Sequence, residues 1–124
     1  MRTKKTPKEK KFSKYIHKWC RKTWAGWWRI DVIYFTAHEF LKLNPDCTTD
    51  TLAVCHTKWQ YMTATMEVNL DKLEEQKDST IEFCAVHELM HVFLNEMREE
   101  GIEHEERVAT FLARSFMLAG GNND

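Results

Sequence analysis

Two histidines four residues apart, with a glutamate after the first, constrain this chain more than any other stretch: His87-Glu88-Leu89-Met90-His91. Residues four apart lie one above the other on a helix, so a helical backbone aims both imidazoles at one point in space. Glu88 then sits about 100° round the helix from His87, near enough to hold a water beside a shared metal ion without being a ligand itself. With 6 His and 13 Glu in 124 residues, a shuffled chain shows H-E-x-x-H with a probability of roughly 3%. The bland alternative makes the pair ordinary solvated histidines. Context argues against it: Ser79-Thr80-Ile81-Glu82 has the S-x-x-E form of a capping box, and the apolar residues Phe83, Cys84, Val86, Met90, Phe93 and Leu94 follow. A helix beginning near Thr80 is therefore expected to carry the motif on a buried segment.

Two imidazoles and a neighbouring carboxylate suit zinc, which in catalytic sites takes three protein ligands and leaves one position for water. A third histidine on the same helix is excluded, because Leu94 and Met97 stand where H-E-x-x-H-x-x-G-x-x-H requires glycine and histidine. The candidates further on are His104, Glu105 and Glu106. Val108, Ala109, Leu112 and Phe116 lie 3, 4, 7 and 11 residues after Glu105, which puts Glu105 on the buried stripe of a helix from about Glu103 to Leu118. Glu106 shares its side with Ala109, Thr110 and Ala113, and His104 with Val108, Phe111 and Ser115. Glu105 is the expected ligand, with Glu106 and then His104 behind it. For Glu105 to reach His91, the motif helix must stop near Asn95 and residues 96–102 must form a loop, since a helix rises only about 1.5 Å per residue.

The length fits a single domain, and 43% apolar with 12% aromatic residues is a globular composition. No apolar run approaches the roughly 18 residues that cross a bilayer, and no hydrophobic segment follows the basic N-terminus in the manner of a signal peptide. A cytoplasmic location is expected. Cys20, Cys47, Cys55 and Cys84 form no C-x-x-C pair and are read as reduced thiols. Charge is strongly asymmetric: residues 1–29 hold 11 Lys or Arg and one acid, and the remainder hold 7 and 18. Residues 1–11 are expected to be a basic flexible arm, either solvated or in contact with nucleic acid or another acidic partner.

Residues 12–119 are expected to form the domain and 120–124 a tail. Phe12, Tyr15, Ile16, Trp19 and Thr23 repeat with helical spacing up to Gly26. Trp28, Ile30, Val32 and Tyr34 alternate with Arg29 and Asp31 as in a half-buried strand, and the stretches 51–55 and 61–69 read as two more strands joined at Thr57-Lys58-Trp59. His38-Glu39 begins like the metal motif, but Lys42 stands where a second histidine is needed, so no metal is assigned there. Asp71 to Asp78 is a loop or short helix. The fold class is α+β: an N-terminal helix, a short, mainly antiparallel sheet, the motif helix and a ligand-bearing C-terminal helix.

On the strand 61–69, the motif 87–91 and the segment His104-Glu105-Glu106-Arg107-Val108-Ala109, the chain resembles the gluzincin metallopeptidases, in particular very small phage and bacterial members. The resemblance covers about half the chain and implies a zincin-like fold. It further implies one zinc ion bound by His87, His91 and Glu105, Glu88 as general base, and peptide or protein substrates laid along the strand 61–69. Larger relatives support the site with Asp or Asn four residues after the ligand glutamate, where this chain has Ala109. The alternative from a different class is a zinc-stabilised regulatory or nucleic-acid- or protein-binding module without turnover, which has no need of Glu88.

Overall fold

The computed structural model describes residues 5–23, 28–94 and 105–120. Its first helix, α1 (Pro7–Lys22), begins earlier than the aromatic stripe suggests. Thr6 caps it by accepting from the backbone N–H of Glu9 at 3.1 Å, and Pro7 occupies the first turn, where a missing N–H costs nothing. The expected arm of residues 1–11 is thus corrected: residues 7–11 are helical. They are also docked, because Thr6 donates to Glu74 at 2.6 Å and the Lys8 ammonium donates to the carbonyls of Glu74, at 2.8 Å, and Gln76. Phe12, Ile16 and Trp19 are buried along one side, as the spacing predicts.

Three strands follow, β1 (Arg29–Phe35), β2 (Ala53–Lys58) and β3 (Thr63–Asn69), in the order β1-β3-β2. β3 runs parallel to β1, with Arg29 opposite Thr63 and Phe35 opposite Asn69, and antiparallel to β2, with Ala53 opposite Val68. The sheet is therefore mixed and not mainly antiparallel, and β3 is its centre. A strand paired on both sides has no free edge, so the expectation that residues 61–69 receive a substrate by edge pairing is also corrected. The cause is topological. The connection from β1 to β3 passes through α2 (Ala37–Leu43) and β2, and it is long enough for the crossover that parallel pairing needs.

Sequence reading placed no helix at α2. Thr36 and Glu39 cap it reciprocally, each side chain bonding the other's backbone N–H, which gives the glutamate of the false metal motif a structural task. Conversely, the box expected at Ser79–Glu82 is not made. A 3₁₀ turn (Asp78–Thr80) leads into α4 (Ile81–Phe93), Thr80 donates to the carbonyl of Lys77, and its side chain makes no capping bond. The Glu82 carboxylate instead accepts from Lys18 at 2.6 Å and Trp19 at 2.8 Å, which fixes α4 against α1.

Ala64, Met66 and Val68 of β3 face the helices and join Phe12, Ile16 and Trp19 of α1 and Ile81, Ala85, Leu89 and Met90 of α4 in the main core. Burying such side chains stabilises by about 1.5–3 kcal/mol each. α3 (Leu70–Glu74) contributes Leu70 and Leu73, and α5 (Glu105–Gly120) lies on α4 through the fully buried Ala109 and Ala113. Four free thiols are present, and no helix among the described residues is long and apolar enough to cross a membrane.

Candidate metal centre

α4 carries the motif as one uninterrupted helix and ends at Phe93, where the N–H of Leu94 returns to Met90 at 3.0 Å. That early stop satisfies the reach condition; Asn95 and the proposed loop lie outside the described residues. The two imidazoles therefore sit on the side of α4 that meets α5, with ring centroids 5.1 Å apart. Alanine at 109 and 113 lets the helices approach closely, and the first turn of α5 then hangs Glu105 and Glu106 over the histidines. Acids in a first turn are favoured by the helix dipole.

The two glutamates take different places. Glu106 reaches across the open side of the pair: its carboxylate oxygens lie 2.9 Å from Nε2 of His87 and 3.1 Å from Nε2 of His91. Glu105 is tucked behind, with Oε2 2.5 Å from Nδ1 of His91. Their side-chain exposures, 72% for Glu106 and 13% for Glu105, reflect this division. The donor atoms that converge within 4.8 Å of one another belong to His87, His91 and Glu106. Glu105, the residue expected to complete the set, is not among them; it meets the ring of His91 at its other nitrogen, Nδ1. Metal-ligating histidines commonly donate that N–H to a carboxylate, which fixes the tautomer and leaves Nε2 for the ion. Glu105 stands where such a supporting carboxylate would act, a place for which Ala109 had left no residue. His104, the remaining candidate, lies outside the described residues.

The electrostatics follow from the same contacts. Burial opposes a charge on His87, but hydrogen bonds to Glu106 and Glu88 and the charges of both outweigh it, and the pKa is pushed up to about 9. His91 is raised in the same way, against burial, chiefly by Glu106 and then by Glu88 and Glu105. Bonds to the two imidazoles hold the Glu106 carboxyl well below the usual range.

Two nitrogens and one carboxylate form a catalytic zinc donor set. Ligand bonds of about 2.0–2.2 Å put tetrahedral donors about 3.4 Å apart, close to the spacing between Glu106 and each imidazole. A cleft of about 350 Å³ opens beside them, bounded by Leu52, Ala53, Gln76, Glu88 and the three donor residues, among others. Glu88 is 5% exposed there, with Oε2 3.6 Å from Nδ1 of His87. The backbone of Glu88 is held by β2, since the Cys55 thiol donates to its carbonyl at 3.5 Å.

Sequence reasoning missed two contributors. Thr110 places its hydroxyl 3.2 Å from Nε2 of His87, and it lies one turn after Glu106, so it would have been found had Glu106 been preferred. Ala53 is the other. The N–H of Asn69 donates to the carbonyl of Leu52 at 2.8 Å, so in the antiparallel alternation the N–H and C=O of Ala53 point away from β3, at the rim of the cleft. No local signal marks an alanine for such a role; it depends on β2 being an edge.

No protein-family model matches the chain, and no curated protein and no solved structure matches it either.

Proposed function

We propose that this chain is a zinc-dependent peptidase in which His87, His91 and Glu106 hold the ion and Glu88 is the general base. The observation that carries the reading is the convergence of three donors of the right chemistry on one end of a cleft that also contains a buried carboxylate on the same helix. A zinc ion held by these residues would supply Lewis acidity for a scissile carbonyl and would bring the pKa of a water towards neutrality. Glu88 takes the proton of the attacking water and passes it to the leaving amine. Glu105 holds the imidazole of His91 by its Nδ1, leaving Nε2 of that ring for the ion. The outward N–H and C=O of Ala53 pair with an extended peptide and draw its backbone along β2 into the cleft, in place of the central β3.

A binding module stabilised by zinc has no use for a carboxylate at position 88, so Glu88 is the point of test. Zinc-loaded wild type should cleave a mixed fluorogenic peptide library. Glu88→Gln should keep its zinc and lose at least about a hundredfold in rate. Stoichiometric zinc with no cleavage of any library member would favour the non-catalytic module.

A further inference from the structure

The outer face of α1 plays no part in the metal centre. Pro7–Lys22 contains seven Lys or Arg and a single acid, Glu9, which is buried. Lys8 and Lys18 are turned inward, onto α3 and onto Glu82. Lys10, Lys14, His17 and Arg21, spaced 4, 3 and 4 residues apart, form one exposed row opposite the buried Phe12, Ile16 and Trp19. The row is about 16 Å long, with neighbours about 5–6 Å apart along the axis. Among the described residues, no carboxylate pairs with Lys10, Lys14 or Arg21. Beside the row lies a groove of about 290 Å³, walled by His17, Cys20 and Arg21 on one side and by Trp28 and Ile30 at the start of β1 on the other.

A row of cations that no carboxylate neutralises complements a polyanion, and an indole in the adjoining wall offers a face to a flat ring. A lipid surface fits less well, because interfacial helices bury apolar side chains and none of the exposed large hydrophobic residues lies on α1. An acidic polypeptide would use the cations but leave the indole idle. We infer that the outer face of α1 binds single-stranded nucleic acid, with backbone phosphates on Lys10, Lys14 and Arg21, a hydrogen bond from His17, and a base against Trp28. This moves the expected acidic-partner contact from a flexible arm to a rigid helix, and it stands independently of the peptidase reading.

The test is fluorescence anisotropy of a labelled oligothymidine strand on the full chain over a range of salt. Three phosphate contacts contribute a log–log salt slope of about −2 on a single strand, equal to about 20-fold weaker binding between 50 and 200 mM salt. The exposed triple substitution K10Q/K14Q/R21Q should remove a slope of that size. Trp28→Leu, which keeps an apolar wall but no ring, should weaken binding by about 5- to 100-fold with the slope unchanged, and Trp28→Phe should restore it. Thermal melts of each variant show that the fold is intact, and Trp28→Phe against wild type decides the point if Trp28→Leu does not fold. No binding at low salt, an unchanged slope in the triple variant, or loss of binding in a folded Trp28→Phe overturns the inference. So does polyglutamate competing as well as the oligonucleotide, an outcome that makes the face a site for acidic polypeptide.

Discussion

Neutralising Glu105 and Glu106 one at a time separates a metal ligand from the group that supports one. Glu106 spans both Nε2 atoms from the open side, so Glu106→Gln replaces the only carboxylate among the three donors with a neutral, weaker amide oxygen. Glu105 meets His91 at Nδ1 and not at Nε2, and losing such a support costs 10- to 100-fold in metal affinity, or about 1.4–2.8 kcal/mol. Gln at 105 retains an acceptor oxygen for the ring N–H and Ala does not, so Glu105→Gln should fall near the lower figure and Glu105→Ala near the upper. Glu106→Gln should lose more than either. Competition against a chromophoric zinc chelator at fixed pH reads all three, with melts of the metal-free proteins as control. If Glu106→Gln bound zinc within about tenfold of wild type while Glu105→Gln lost more than a hundredfold, the ligand would be Glu105. The inference from the Nδ1 contact would then be wrong.

Zinc must displace the proton that His87 holds up to a pKa of about 9. Affinity should therefore climb by several tens of fold between pH 6 and 8, against about fourfold for an imidazole titrating at its ordinary value; isothermal titration with proton-release correction measures it. In the metal-free protein the sign reverses, because a raised histidine pKa gives stability that is complete below about 6.5 and lost as pH rises through about 9. The thermal midpoint of the apo form should fall over that window while that of the zinc form does not. Leu89 is fully buried behind the motif, so Leu89→Ala should cost about 2–5 kcal/mol in urea unfolding. Glu82→Ala removes the carboxylate that accepts from the Lys18 ammonium and the Trp19 indole N–H, and a loss of about 2–4 kcal/mol is expected in the same assay.

What the sequence made legible was periodicity, and what it hid was neighbours. The stripe of α1, the alternation of β3 and the helical spacing of His87 and His91 are local and were readable. That β3 lies between β1 and β2 depends on how a crossover folds, and no residue of β3 encodes it. Capping boxes failed in both directions for one reason: Glu39 is exposed and caps its own helix, whereas Glu82 is drawn off by a buried lysine and an indole. The choice between Glu105 and Glu106 turned on a similar confusion. Periodicity correctly identified Glu105 as the more buried carboxylate, but burial put it behind His91. The position over both Nε2 atoms belongs to the exposed neighbour, and the rotation of α5 about its axis relative to α4 decides this.

α5 rests on the molecule chiefly through α4, and it follows the other described helices along the chain. Both motif histidines and Glu88 leave the ribosome before Glu106, which stands 15 residues after His91. With the proposed ligands, a nascent chain would own a base and half a metal site and would be chemically idle. Competence would come with the docking of α5, so that an ion bridging the two helices would tie the arrival of Glu106 to the pairing of α4 and α5.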